Sequence, residues 1–467
     1  MADSISRQFA TWAAALKYED LPPAVVDKVK ALTLMALTSA PLGSVTARGK
    51  AAFALAKSEE ARPGGATVLV DGMSATRLGA AFANAEVMWA SGLIDSYRML
   101  THPGPALIPV ALVNAELEGK NGKDLIVALA AGYEFLTRLC DDFIPATAAQ
   151  GFRPGPVYAT MGGAVVAAKV LGLDANGIVS AIDFAANLAG GILTGGGASA
   201  IHEPNAARQG AAAALIARRG GLVGSETSIE GPSGFYKTFA GTNKGDVAIA
   251  FGGNMEIDLA TVTAGLGTEY KLLTIMFRMI ATAGYNQPVV DLIVEMMQAN
   301  GLQTADLDVV EVSMNYIENL YPSQEAFGRA DSRRAGEGGR TKFFAANAAV
   351  YGGFPVVGGK SFAPEGTNLD TDPAIVDFMA NHVKIIPVWG HPMFSPSVTL
   401  KTTDGRAFFG HYPYARMEWN LDQLVERLQD CMPGYPGGKP AFDRLVEVVR
   451  NLDEQPSMQP VIAAVAG

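Results

Sequence analysis

Cysteine is nearly absent: Cys140 and Cys431 are the only two in 467 residues, too few and too far apart for a disulfide framework or a thiolate metal site. Histidine is scarce too. Five occur, at 102, 202, 382, 391 and 411, without zinc or iron spacing, so no metal is expected. Charged residues make up 18% of the chain, and acids outnumber bases for a net charge of -10. A nucleic-acid partner would need a basic face, so none is expected. No Walker or dinucleotide fingerprint is present; Gly195 to Gly197 follows a helical pattern and not a strand. The first residues, MADSISRQFATW, lack the basic-then-apolar order of a signal peptide, and a cytoplasmic protein is expected. The charge-free run Phe184 to Ile201 carries five glycines plus Asn187, Thr194 and Ser199. It would make a poor spanning helix, so no membrane association is expected.

Apolar and small residues fill the space left by those absences. The chain is 49% hydrophobic with 52 glycines, and its mean hydropathy is +0.18. Its length allows more than one domain and a well-buried core. Small residues at this density suit closely packed helices or a large subunit interface.

Helical periodicity dominates to about residue 220. Two helices are expected over 4–40, the second opening at Leu21-Pro22-Pro23 with Val25, Val26, Val29, Leu32 and Met35 on one face. A short strand at 66–70 ends in the turn Asp71-Gly72. Helices follow over 75–92, 122–140, 160–173, 175–189 and 206–219, with a two-proline bend at 151–158. Near 255–270 the composition shifts. Alternation at 309–316 and 398–414 reads as strand, with a hairpin at Thr403 to Arg406. Helical pieces lie at 287–299, 343–350 and 373–381, so this part reads as α+β. Helix returns at 421–431 and 440–451, and the last dozen residues read as a loose tail. The segment 321–341 holds Arg329, Arg333, Arg334 and Arg340, as a solvated loop or as a lid carrying charge to a carboxylate.

The run SGLIDSYRMLTHPGPALIP at 91–109 sets Asp95 and His102 seven residues apart in mostly apolar surroundings. Pro103 and Gly104 prevent a helix from passing through, so His102 stands at a junction of elements. A working histidine facing a cleft and a capping histidine with a capping carboxylate both fit that placement.

Five segments in order resemble the MmgE/PrpD family, which holds 2-methylcitrate dehydratases, cis-aconitate decarboxylases and iminodisuccinate epimerases. They are LPPAVVDKVKALTL at 21–34; GLID with THPGPALIPVALVNAE at 92–116; GFRPGPVYATMGGAVVAAKVLGLD at 151–174; IHEPNAARQGAAAALIARRG at 201–220; and IEGPSGFYKTFAG at 229–241. The resemblance is clear to about 241 and thinner beyond. It implies a mainly α fold: a large all-helical domain from both chain ends, here 1–265 and 415–467, with a smaller α+β domain, 266–414, inserted. It also implies a homodimer, an active site in the cleft between the domains, and neither metal nor organic cofactor.

Such enzymes act on a carbon beside a carboxylate. A base removes the proton or assists loss of CO2, cationic groups hold the carboxylate, and an acid protonates the leaving group or the opposite face. By position, Asp95 and His102 match the family's aspartate and histidine, and Tyr316 matches its active-site tyrosine. Elsewhere the sequence departs from the pattern. Two family histidines fall on Arg153 and Tyr158, a lysine on Ser199, a Lys-Pro-Tyr segment on Arg278-Met279-Ile280, and a further histidine on Gln287. Arg153, Ser199, His202 and Arg278 are the candidate substrate-binding residues. Arg153 offers a bidentate grip on a carboxylate. Tyr158 reads either as a counter-acid, or a base if Arg153 depresses its pKa, or as packing. The expectation is a dehydratase-type lyase or an isomerase of the epimerase kind acting on a small organic acid. The alternative is an inactive member that binds a metabolite or serves as a structural homodimer.

Overall fold

The computed structural model describes residues 3–193, 201–243, 259–320 and 340–466. The fold is mainly α with a smaller α+β part. The described chain falls into two compact units: 3–193, 201–243, 259–277 and 418–466 form the first, and 278–320 and 340–417 the second. Residues 266–277, expected with the inserted part, group with the helical unit. Their backbone explains it: Lys271 and Leu272 N–H donate to the carboxylate of Glu134, each at 3.1 Å.

The N-terminal part of the first unit carries, among the described residues, the helices α1 (Ile5–Ala15), α2 (Pro23–Ser44), α3 (Ala47–Leu55), α4 (Arg77–Ala90), α5 (Gly104–Leu117), α6 (Gly122–Cys140), α7 (Ile144–Ala149), α8 (Pro154–Val170), α9 (Ala175–Leu188) and α10 (His202–Arg219), and further helices follow at Leu421–Leu428, Gly438–Arg450 and Gln459–Val465. At its centre α8 packs on α5, α6, α9 and α10. Small residues set those distances. A Cβ on Gly210 would stand 2.9 Å from the backbone of Gly163, and one on Gly132 would stand 2.1 Å from Val166 Cγ2. The Ala/Gly-rich faces are therefore close helix contacts. On α6 the buried pair Glu134–Arg138 is satisfied at both ends, with Arg138 donating to the carbonyls of Ala264 and Glu269.

Short strands edge this unit. The expected strand at 66–70 is realised earlier, as β1 (Ala61–Thr67), which pairs antiparallel with β2 (Ser74–Ala75). The three-residue β3 (Ile94–Ser96) pairs with β4 (Met276–Arg278). The tail is not loose: Gln459–Val465 is a helix that buries Val461, Ile462 and Val465. Both cysteines are buried and form no disulfide.

In the second unit a mixed sheet has the order β6 (Val383–Val388), β5 (Leu307–Asn315), β7 (Ser397–Thr402) and β8 (Ala407–His411). β5 and β6 run parallel, and the other two pairs are antiparallel. The hairpin between β7 and β8 turns at Gly405, φ 86°, as the Asp-Gly signal predicts. β6 had no separate sequence signal, because VKIIPV is short and interrupted by a proline. The helices Asn286–Ala299 and Thr341–Tyr351 pack on each other, the first also against β7 and β8, the second against β6. Ser199 and Gly195 to Gly197 lie outside the described residues, as do 321–339 of the arginine-rich segment. Arg340, at its end, pairs with Asp370 and lies over the Phe343 ring.

Candidate active site

Between β3 and α5 the chain makes a tight excursion. Tyr97 N–H donates to Thr101 O at 2.9 Å, closing a loop in which Arg98 and Leu100 both take left-handed φ values, 51° and 65°. Two non-glycine residues in that region are costly, on the order of 1–3 kcal/mol each, and persist where surroundings enforce them. Here the anchor is Asp141, which accepts from the Tyr97 hydroxyl and from Arg98 Nε at 2.8 Å and pairs with Lys271. The product of the strain is the placement of His102.

Asp95 and His102 do meet, though not through the carboxylate. His102 Nδ1 lies 3.1 Å from the main-chain oxygen of Asp95. A carbonyl only accepts, so Nδ1 carries the proton and Nε2 carries the lone pair in the neutral ring. The Asp95 carboxylate instead caps α5: Oδ1 accepts Gly104 N–H at 2.8 Å and Oδ2 accepts the Tyr133 hydroxyl at 2.9 Å. Gly104 is required there, since a Cβ would come within 2.8 Å of both carboxylate oxygens. Asp95 is 2% exposed and His102 7%. Burial pushes the Asp95 carboxyl up to about 6, against the opposing pull of these bonds and of Lys28. Asp95 thus holds the helix start through its carboxylate and the histidine ring through its main-chain oxygen.

Lys28, which the sequence reading passed over, is buried behind Asp95 and brought down to about 7 by desolvation. Its ammonium donates to the carbonyls of Ile275 and Trp419 and lies 4.5 Å from the Phe277 ring centroid. A signal existed: Lys28 falls on the same helical face as Val25, Leu32 and Met35, where a charge has no surface role.

Trp89, on α4, links His102 to the candidate anion side. Its ring lies 5.3 Å from the imidazole, and the Arg153 guanidinium carbon lies 5.8 Å from the indole. Arg153 is the N-cap of α8, its N–H donating to Gly191 O at 3.0 Å. His202 opens α10 and is buried; its Nδ1 has no hydrogen-bond partner among the described residues. Burial, then the charge of Arg153, lower its pKa, so the ring favours the neutral form. The next residue, Glu203, is 0% exposed and sits 3.7 Å from Arg153 Nε. Sequence reading missed it because an acid in a helical first turn is ordinary.

Tyr158 lies in the core of the first unit. Helix α8 begins at Pro154 instead of 160, since prolines at 154 and 156 fall in a first turn whose N–H groups have no helical partner anyway. This carries Tyr158 into the core, fully buried, bonded to Thr147 Oγ1 at 2.8 Å and edge-on to Phe235. Burial raises its pKa well above the usual phenol value, which supports the packing reading of Tyr158 over the counter-acid one.

Arg278 and Tyr316 belong to the second unit. Arg278 ends β4. Tyr316 follows β5 and lies edge-on to the exposed Trp389 at 4.7 Å, with burial raising its pKa. Gln287, where the family has histidine, accepts Met279 N–H at 2.7 Å. Among the described residues no cluster of three His, Cys, Asp or Glu side chains could hold a metal ion, and no helix is long and apolar enough to cross a membrane.

Residues 7–248 match the model of the MmgE/PrpD N-terminal domain. The cis-aconitate decarboxylase-like protein oryM of Aspergillus oryzae is 26% identical over 295 residues, 60% of this chain and 59% of its own. Human cis-aconitate decarboxylase is 29% identical over 250 residues, 51% of each chain. The Aspergillus terreus enzyme of that name is 25% identical over 291 residues, 60% of this chain and 57% of its own. The chain therefore spans between half and three-fifths of the length of these curated relatives.

Proposed function

The chain is a member of the MmgE/PrpD family, and from that premise we propose that it is a cofactor-independent lyase that works beside a carboxylate of a small organic acid, with His102 as the base. The observation that carries this reading is the His102 geometry: Nδ1 is tied to the Asp95 carbonyl, so Nε2 is the basic nitrogen. Relatives carrying the name cis-aconitate decarboxylase favour a lyase over an epimerase.

In the proposed reaction Nε2 takes a proton from the carbon next to the substrate carboxylate. The enolate charge grows on that carboxylate, where Arg153 stabilises it. Expulsion of a β-hydroxyl as water, protonated by the His102 imidazolium formed in the first step or by solvent, completes a dehydration, with His202 on the anion-binding side. In a decarboxylation no proton is abstracted: the C–C bond breaks to give CO2 and a carbanion, and His102, first protonated from solvent, delivers that proton to the carbanion. Asp95 acts through the ring it positions. A homodimer in the cytoplasm belongs to the same reading, and light scattering tests the dimer.

Incubation with mono-, di- and tricarboxylates, followed by proton NMR and CO2 capture, tests the reaction class. An alkene or released CO2, lost in His102→Gln, is the expected result. Inversion at the carbon without bond cleavage would make the protein an epimerase. Ligand-induced thermal stabilisation with no turnover would favour the inactive binding member.

A further inference from the structure

Glu203 is the one group of this cluster whose chemistry the reaction above leaves unused. Both carboxylate oxygens are buried, and neither has a hydrogen-bond partner among the described residues. The nearest cation, Arg153 Nε, stands 3.7 Å away, beyond hydrogen-bond length. Its own main-chain N–H and the Arg153 guanidinium act on the carboxylate, but neither reaches it with hydrogen-bond geometry. Pro154 and Pro156 remove two of the donors that the first turn of α8 could have offered. Gly155 makes room for the carboxylate: a Cβ there would stand 2.6 Å from Glu203 Oε1 and 2.9 Å from Leu100 O. Glu203 is thus brought against the loop that ends at His102. A buried carboxylate without donors is costly, and a donor arriving with a ligand removes that cost.

We propose that Glu203 is the specificity-determining residue of this site: it accepts a hydrogen bond from a hydroxyl or ammonium group carried beside the carboxylate that Arg153 holds, and it disfavours substrates with a third carboxylate. The proposal rests on the reading of Arg153 and His202 as the anion-binding side. Charge supports it. Arg153 and Glu203 cancel, so a third carboxylate meets no net positive field, whereas a donor-bearing acid meets one partner for each group. His202 Nδ1, buried and unbonded, adds a second polar atom for such a substrate.

The test is calorimetric titration of the whole protein with succinate, malate, aspartate and propane-1,2,3-tricarboxylate, for wild type, Glu203→Gln, Glu203→Asp and Arg153→Ala. Wild type should bind malate or aspartate about tenfold or more tighter than succinate, with the tricarboxylate weakest. Malate against aspartate tells hydroxyl from ammonium. In Glu203→Gln the donor-bearing acid should lose about tenfold and the tricarboxylate gain about tenfold. Glu203→Asp keeps the charge and should keep the exclusion, which carries the test if the Gln variant does not fold. Arg153→Ala should weaken all four. Equal preference in wild type, no binding of any probe, or an unchanged order in the Glu203 variants would overturn the proposal. Glu203-dependent preference without turnover would instead sink the lyase reading and leave this one standing.

Discussion

At the scale of single residues, two buried charges oppose each other behind His102. The Asp95 carboxyl is raised to about 6 and the Lys28 ammonium lowered to about 7, both by burial. Their signs fix a pH profile. A raised acid binds its proton more tightly folded than unfolded, so stability is lost as pH climbs from about 4 to about 6. A lowered lysine binds it less tightly, so stability is regained from about 7 to about 10. Denaturation across pH should therefore show the wild type gaining stability relative to Lys28→Met above pH 7; a flat difference would remove the charged role of Lys28. Tyr158 gives a second expectation. Tyr158→Phe loses the bond to Thr147 and should cost about 1 kcal/mol in urea unfolding, while kcat stays unchanged. These residues also show where reading stopped. Asp95 and His102 stand out in the sequence because they break an apolar run, while Arg153 and His202 were singled out through the resemblance to the family. Lys28 and Glu203 were not, because each sits in a helix that explains it locally, and only tertiary burial marks it.

At the scale of elements, glycine decides how closely the central helices approach. Gly210→Ala would set a methyl 2.9 Å from Gly163 C and Thr160 O, forcing α8 and α10 apart. The expected loss is about 1–3 kcal/mol, read as a lower denaturation midpoint. The helices themselves were legible from period and caps, as in α6, where Asn121 and Asp124 form a capping box. The start of α8 was not, because two prolines and a glycine look like a bend until the helix is seen to use them in its first turn. The ladder of β3 and β4 is too short to leave an alternation, and β3 is what presents the Asp95 carbonyl to His102.

At the scale of the whole chain, the described residues pass from the first unit to the second after 277 and return at 418. Lys28 bonds the carbonyls of Ile275 and Trp419, next to both crossings and within the first unit. The C-terminal helix belongs to the same core. Removing 459–467 uncovers the apolar groups that Val461, Ile462 and Val465 cover and should lower the melting temperature by several degrees; an unchanged midpoint would return the segment to the status of a tail. The mainly α class and the smaller α+β part were readable from composition and periodicity, since both are properties of long stretches. The central claim, that His102 is the base, is tested most directly by deuterium incorporation from D2O at the carbon beside the substrate carboxylate, followed by NMR. Wild type should wash in deuterium, and His102→Gln should be slower by about a hundredfold or more with its melting temperature nearly unchanged. Exchange that survives in His102→Gln would contradict the account and place the base elsewhere.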